Sequence, residues 1–360
     1  MIVVKDRPSS VEPSAPIRGR SRGRKPALGA LFALALLSYQ SLSTASSLFD
    51  DDALLEVSLT GPLQSVFDEQ DDSVQQSFVL HANGGEHAIK VRARGKSRRQ
   101  ICSFPPLRLN FAGKDVAGSV FEGQDKLKLV THCQDRKEAQ ANLLQEYAAY
   151  RIFSLISETA YRVRLVQITY TDTDGEEHGA ADGRYAFLIE SSEELSRRLG
   201  GQRANVSGVS LSSLNEQHLA AVFVFQYLIG NTDWSLVTAD ADDACCHNGD
   251  LFDVGSDRYY IPYDFDLAGL VNARYARPDP SLRIQRVTQR LYRGFCLSPE
   301  PLTEALRSIN ALQPQILGVV NELPGLSLKD VDSTSEYLQK FFRQADDEEK
   351  MLRLFERRCL

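Results

Sequence analysis

Between residues 230 and 266 the chain gathers acids and amides into apolar surroundings. Gly230-Asn231-Thr232-Asp233-Trp234 follows a long apolar run, His247-Asn248 comes next, and Ile261-Pro262-Tyr263-Asp264-Phe265-Asp266 closes the stretch. A carboxylate just past an apolar helix, an amide carbonyl downstream and a carboxylate pair ending an apolar strand are the oxygen donors a hard cation such as Mg²⁺ takes. Phosphoryl transfer uses the same set: one acid positions the acceptor hydroxyl, while an Asn and an Asp hold the metal that bridges the nucleotide phosphates. A lone Asp after a helix-ending Gly would only close an Asx turn. The company of Asn231, Asn248 and the Asp264-Phe265-Asp266 pair is what points to chemistry. His247 has no second histidine nearby and reads as a hydrogen-bonding partner, and Trp234, the only tryptophan, as packing.

These residues need elements to hold them. Residues 215–229 are apolar at Leu219, Val222, Phe223 and Leu228 and stop at Gly230, which predicts a buried helix delivering Asp233. Residues 258–265 predict a short strand delivering Asp264. Upstream, 87–91, 107–111 and 127–130 alternate like strands between glycine-rich or charged turns, 137–156 carries helical spacing at Leu143, Tyr147 and Tyr150, and 162–171 and 184–190 return to strand patterning. Residues 301–321 and 334–355 predict helices. Residues 46–85 read as an acidic lead-in with at most one strand at 55–60, regular structure starting after residue 75.

The order of these blocks resembles the CotH family of atypical, protein-kinase-like kinases. Asp233, then Asn248, then a strand ending in Asp264-Phe265-Asp266 look like the family's NxDxxxxN and W/Y-D-x-D blocks; Arg94-Gly95-Lys96-Ser97-Arg98 resembles its RGxSxR segment, and 184–190 its GxYxLxE strand. The resemblance spans about residues 86 to 300. It implies an α+β, two-lobed protein-kinase-like fold: an N-terminal antiparallel sheet with one helix over 86–190 and a mostly helical C-terminal lobe over 191–360. It implies Asp233 as catalytic acid/base, Asn248, Asp264 and Asp266 as metal ligands, and Arg94, Lys96, Arg98, Arg108, Lys128, Glu146 and Glu190 as the nucleotide-binding set, with ATP as co-substrate and Mg²⁺ or Mn²⁺ as cofactor. Two departures stand out. Where a nucleotide-binding lysine belongs the chain reads Leu107-Arg108-Leu109, leaving Lys126 and Lys128 as the lysines available, and the stretch from Asp233 to Asn248 is longer than the motif, with Asp240, Asp242 and Asp243 inside it. The reading adopted for that insert is a surface excursion that leaves Asn248 in the site.

Composition sets the setting. Arg18, Arg20, Arg22, Arg24 and Lys25 precede an apolar run from Ala27 to Leu37 and a polar stretch ending Ser43-Thr44-Ala45, the layout of a signal peptide over 1–45. That run is too short for a permanent membrane span, so the expected location is exported: periplasm, exterior or secretory lumen. The whole chain carries −7 at neutral pH and loses a net five positive charges with 1–45. Such a surface repels phosphate backbones, which excludes nucleic acid as a partner. Six cysteines without paired CxxC spacing predict disulfides rather than zinc, Cys102–Cys133 being the first candidate pair and Cys245–Cys246 an unfavourable one because they are adjacent. The leading function is an exported kinase passing phosphate from a nucleotide to a protein or small-molecule acceptor. The alternative is an inert pseudokinase serving as an extracytoplasmic scaffold, and a metal-dependent hydrolase ranks third.

Overall fold

The computed structural model describes residues 48–95, 97–175, 183–237 and 245–360; the signal-peptide segment 1–45, Lys96 and the acidic insert at Asp240, Asp242 and Asp243 lie outside the described residues. Seven strands close into a barrel: β1 (Leu55–Gly61), β2 (Gln76–Ala82), β3 (Gly85–Ala93), β4 (Leu107–Phe111), β5 (Lys126–Val130), β6 (Val163–Asp172) and β7 (Arg184–Ile189). Their order is β1-β2-β3-β4-β5-β7-β6. Every neighbouring pair is antiparallel except β1 and β6, which run parallel from Leu55↔Val166 to Gly61↔Asp172.

This corrects the expected two-lobed protein-kinase-like fold with an open antiparallel N-terminal sheet. The stretch read as an acidic lead-in supplies β1, the short helix α1 (Leu63–Asp68) and β2. β1 pairs with β2 on one side and β6 on the other, so the unpaired N–H and C=O groups of an open sheet's edges find partners. The strand expected at 55–60 forms as β1, with Leu55, Val57 and Leu59 pointing into the barrel core. Leu59, Val91, Leu107, Leu127 and Val166 are fully buried there, and alternate residues of β3, β4 and β5 therefore face outward.

The outer faces of β6 and β7 bury Leu165, Phe187 and Ile189 in a second core, shared with α3 (Lys137–Ile156) and α5 (Glu216–Ile229). α5 is apolar nearly all round, as suits a helix enclosed by others; Asn215 caps its start by accepting from the His218 N–H. Three strands form a small separate sheet in the order β10-β9-β8: β8 (Gln202–Ala204), preceded by α4 (Ser192–Leu199), and the hairpin of β9 (Gly249–Val254) and β10 (Asp257–Pro262). The C-terminal helices are α6 (Pro299–Ala311), α7 (Gln313–Asn321), α8 (Leu328–Ala345) and α9 (Glu348–Arg358), and the short α2 (Arg98–Ile101) lies between β3 and β4.

All six cysteines are paired. Cys102–Cys133 joins as expected, and Cys296–Cys359 ties the loop before α6 to the end of α9. Cys245–Cys246 corrects the expectation that adjacent cysteines would not bond: the other four are committed to each other in distant parts of the fold, so each takes its neighbour. Among the described residues no helix is long and apolar enough to cross a membrane.

Gly230 ends α5 at φ 64° and its N–H reaches back to Gln226 and Tyr227. A Cβ there would overlap the Tyr337 hydroxyl. Gly230→Ala is expected to cost about 1–3 kcal/mol in urea unfolding, and Gly208→Ala, where nothing lies within 4 Å, to stay within about 0.5 kcal/mol of the parent.

Candidate functional site

Asn248 and Asp264 stand at the open end of one hairpin. Gly249 is paired with Pro262 at the last rung, and the Tyr263 N–H donates to the Asn248 carbonyl at 3.1 Å, so the two residues flank the same strand end. Both take left-handed backbone, φ 51° at Asn248 and 61° at Asp264, a conformation that Asn and Asp tolerate better than other side chains. The Asp264 N–H is fixed by donation to the Tyr150 hydroxyl at 2.9 Å.

Asp233 is tied to Asn248 directly. The Asn248 Nδ2 donates to the Asp233 carbonyl at 2.7 Å and to its Oδ2 at 2.8 Å, and His247 Nε2 lies 3.1 Å from Oδ1. Because the amide nitrogen is spent on Asp233, the Asn248 Oδ1 is the atom left to accept. Asn231 turns the loop by accepting from the Asp233 N–H, and Arg293 clamps the carbonyls of Thr232 and Trp234 on either side. The long insert therefore leaves Asn248 beside Asp233.

Behind Asp264 lies a buried network. One guanidinium, Arg98, meets Glu146 Oε1 at 3.1 Å, Asp264 Oδ1 at 2.7 Å and Asp266 Oδ2 at 3.0 Å. Arg98 reaches it from α2, whose last residues are laced to the approach of α3 by the Cys102–Cys133 disulfide and the Phe104–Cys133 bridge. Asp266 also accepts from the Tyr275 hydroxyl at 2.9 Å. The Asp264 side chain is 39 % exposed against 10 % or less for the other three, so Asp264 alone presents a carboxylate outward. Burial would raise its pKa, but Arg98 and then Arg94 outweigh it and hold the group below the usual carboxylate value. Burial wins at the deeper acids, against the pull of Arg98: Asp266 is pushed up to about 6 and Glu146 to about 8.

The outward face of β3, β4 and β5 supplies cations. Arg92 is registered against Arg108 and Arg108 against Lys128, and Arg94 extends the row, its N–H donating to the Pro106 carbonyl at 2.8 Å. Lys128 Nζ sits 4.9 Å from the Tyr263 ring centroid and 5.8 Å from that of Tyr161. Enclosure, then repulsion from Arg94, lowers its pKa to about 8, and enclosure likewise lowers Arg94 and Arg108. Among the described residues none of these four cations forms an ion pair.

The sequence-derived set thus divides. Asp233 and Asn248 are hydrogen-bonded, Asn248 and Asp264 flank one strand end, and Arg94 and Lys128 lie near enough to Asp264 to lower its pKa, while Arg108 stands beside Lys128 on the strand face. Arg98, Glu146 and Asp266 border a cavity of about 830 Å³ whose lining does not include Asp264, Asp233 or Asn248, and Arg98 braces three carboxylates where it was expected over phosphates. Glu190 is held elsewhere, by Arg198 in a two-point ion pair at 2.9 Å and by the Arg162 N–H. Lys96 lies outside the described residues. Sequence reasoning missed Tyr150 and Tyr275, which hydrogen-bond to Asp264 and Asp266, Tyr263, whose ring lies under Lys128, and Arg92, the cation that ends the outer face of β3.

No family model matches the chain, and no curated protein does. Among solved structures it is similar to the Helicobacter pylori proinflammatory kinase CtkA, at TM-score 0.34 and 11 % identity over 80 % of this chain and 93 % of that one. It is also similar to a chain of the Shewanella oneidensis toxin–antitoxin HipA, HipB and operator DNA complex, at TM-score 0.31 and 11 % identity over 80 % of this chain and 67 % of that one. These neighbours are kinase-like and distant.

An unpaired lysine held at a depressed pKa costs the empty protein stability. The folded state gives up the Lys128 proton near pH 8 while the unfolded chain keeps it to 10.5, so stability rises with pH across that window. Lys128→Met is expected to flatten that rise in thermal unfolding followed from pH 7 to 10.5, and to stabilise the ligand-free protein at pH 7 by on the order of 1 kcal/mol, its partial exposure allowed for.

Proposed function

We propose that this chain is an exported, CotH-like kinase that transfers a phosphoryl group from a nucleotide to the hydroxyl of a protein or small-molecule acceptor, with Mg²⁺ or Mn²⁺. The observation that carries the reading is the placing of Arg94 and Lys128, which form no ion pair among the described residues, beside the outward Asp264 carboxylate, which shares a strand end with the Asp233–Asn248 pair. Cations held there without a carboxylate partner suit a ligand that brings negative charge. The reading concerns the site and does not depend on a two-lobed fold.

The donor set fits a hard cation. Asn248 Oδ1 and the exposed part of the Asp264 carboxylate are oxygens at one strand end, and among the described residues no cluster of three or more His, Cys, Asp or Glu side chains is arranged to hold a metal. Mg²⁺ commonly takes one or two protein oxygens and completes its shell with water and substrate phosphates. When bound, it supplies charge neutralisation across the donor phosphates. The residues of the chain do the rest: Arg94 and Lys128 orient the phosphates, and Asp233, aligned by Asn248 and His247, accepts the proton of the attacking hydroxyl. Disulfides on all six cysteines agree with an oxidising compartment. The scaffold alternative draws on Arg98, whose contacts already occupy one oxygen each of Asp264 and Asp266.

Calorimetric titration with ATP and Mg²⁺ or Mn²⁺ separates the two. Metal-dependent binding lost in Asp264→Ala is expected, and absence of binding to the wild type with either metal would leave the scaffold. Asp233→Asn, which keeps the side chain's size and its acceptor oxygen, is expected to retain nucleotide affinity and to lower the transfer or ATP-hydrolysis rate by about 10²–10⁴-fold.

A further inference from the structure

We infer that the cavity of about 830 Å³ bordered by Arg98, Glu146 and Asp266 is a second ligand site, built for a phosphorylated polyol such as a sugar phosphate. The inference is independent of the phosphotransfer reading, because Asp233, Asn248 and Asp264 take no part in the lining. Three observations carry it.

The first is a pair of polar helix faces that border the same enclosed space. Glu138, Asn142 and Gln145 fall at i, i+4 and i+7 on α3, and Asp330, Thr334 and Tyr337 fall at the same spacing on α8; all six line the cavity. Residues so spaced share one face of a helix, and a face turned inward is ordinarily apolar. Among the described residues one hydrogen bond joins these two faces, from Gln145 Nε2 to Thr334 Oγ1 at 2.8 Å. Asn142 spends its Nδ2 on the Val271 carbonyl at 2.8 Å, which leaves its Oδ1 to accept. Amides, carboxylates and hydroxyls in this number match the hydroxyl groups of a polyol, which both donate and accept. Leu143, Leu270 and Val271 are the only large aliphatic side chains in the lining, too few to bury an acyl chain.

The second is the mouth. α3, a helix of 20 residues, starts at Lys137 behind Arg136 with no side-chain cap, and the N–H groups of Lys137 and Glu138 have no acceptor among the described residues. Free N–H groups at the positive end of a helix dipole favour a phosphate. Arg136, Lys137, Arg274 and Lys329 are exposed and line the same cavity, and none forms an ion pair among the described residues. Two acids stand with them, Glu138 and Asp330, and Asp330 already accepts from the Ser327 hydroxyl at 2.6 Å. The balance at the mouth favours an anion.

The third is the floor and its distance from the mouth. Arg98, Glu146 and Asp266 keep side-chain exposures of 9 %, 4 % and 10 %, and His132, which also lines the cavity, is buried with its Nδ1 unpartnered. Lys137 and Glu146 are nine residues apart on α3, roughly 14 Å along the helix axis. The cavity therefore runs from a cationic mouth to a floor of buried hydrogen-bonding groups, which suits a ligand with phosphate at one end and hydroxyls at the other. Its volume is in the range of pockets that enclose a whole small molecule.

Calorimetric titration of the wild-type chain at physiological salt, without nucleotide or divalent metal, tests this with glucose 6-phosphate, glycerol 3-phosphate and inositol 1-phosphate, beside glucose and inorganic phosphate. At least one phosphorylated polyol is expected to bind saturably and about tenfold or more tighter than glucose and inorganic phosphate. Saturable binding by none of the three, or inorganic phosphate binding as tightly as the best of them, overturns the inference. Arg274→Gln, at the exposed mouth, is expected to weaken binding by about three- to tenfold. Ala141→Leu, which fills the cavity from the same face of α3, is expected to abolish it, and unchanged binding in both variants overturns the assignment. The titration with ATP and Mg²⁺ is expected to be the same in both variants as in the wild type; a matching loss there would put the polyol phosphate in the Asp264 site and overturn the second site. If ATP fails to bind the wild type while a polyol phosphate binds, the kinase reading falls and this one stands. A circular-dichroism melt of each variant establishes that it is folded.

Discussion

One guanidinium fixes the placement of three acids drawn from distant parts of the chain. Arg98 binds Glu146 from α3 and both Asp264 and Asp266 from the segment after β10, so helix, hairpin end and barrel loop are referenced to a single planar group. Three acids around one cation in a buried setting are tolerable only because the two deeper ones hold protons more tightly than free carboxylates do. Removing such a partner typically costs about 3–5 kcal/mol, because the carboxylates left behind are uncompensated. Arginine suits the place better than lysine would: its fork of donors meets several acceptors at fixed angles, where an ammonium would act as one point charge.

That hub also separates two electrostatic regimes. On its inner side acids outnumber bases; on the strand side Arg92, Arg94, Arg108 and Lys128 form no ion pair among the described residues. Asp264 belongs to both, with one oxygen against Arg98 and a partly exposed carboxylate toward Arg94 and Lys128. Its left-handed backbone, pinned by Tyr150, is what allows the carboxylate to turn from one regime to the other.

What the sequence reveals of this arrangement is uneven, for physical reasons. The acids and amides of 230–266 are legible because their neighbours are apolar, so each polar residue in that stretch needs a purpose. α3 and α5 are legible because helical periodicity is local, and Cys102–Cys133 because both cysteines border one block of strands. Barrel closure is not: β1 lies among acidic residues, and its parallel partner comes about 110 residues later, which leaves no local trace. Nor could the sequence tell Arg98 from Arg94. Both are arginines of one charged turn, and only the short α2 and its disulfide turn the first inward while the second stays on the outer face. Glu190 misleads for a similar reason, since its partner Arg198 comes a helix later.

The seam of the barrel lies between β1 and β6, and the strands that carry the cations are on the opposite side of the ring. β2, β3, β4 and β5 pair in sequence order, each with its immediate neighbour, so the cation-bearing wall is made of short-range contacts that assemble quickly. The seam joins the first strand to one of the last and must wait for loop closure over most of the barrel's length. The long loop closure thus falls on the face remote from the cation-bearing strands, and the pairing of β3 with β4 and β5 draws nothing from β1.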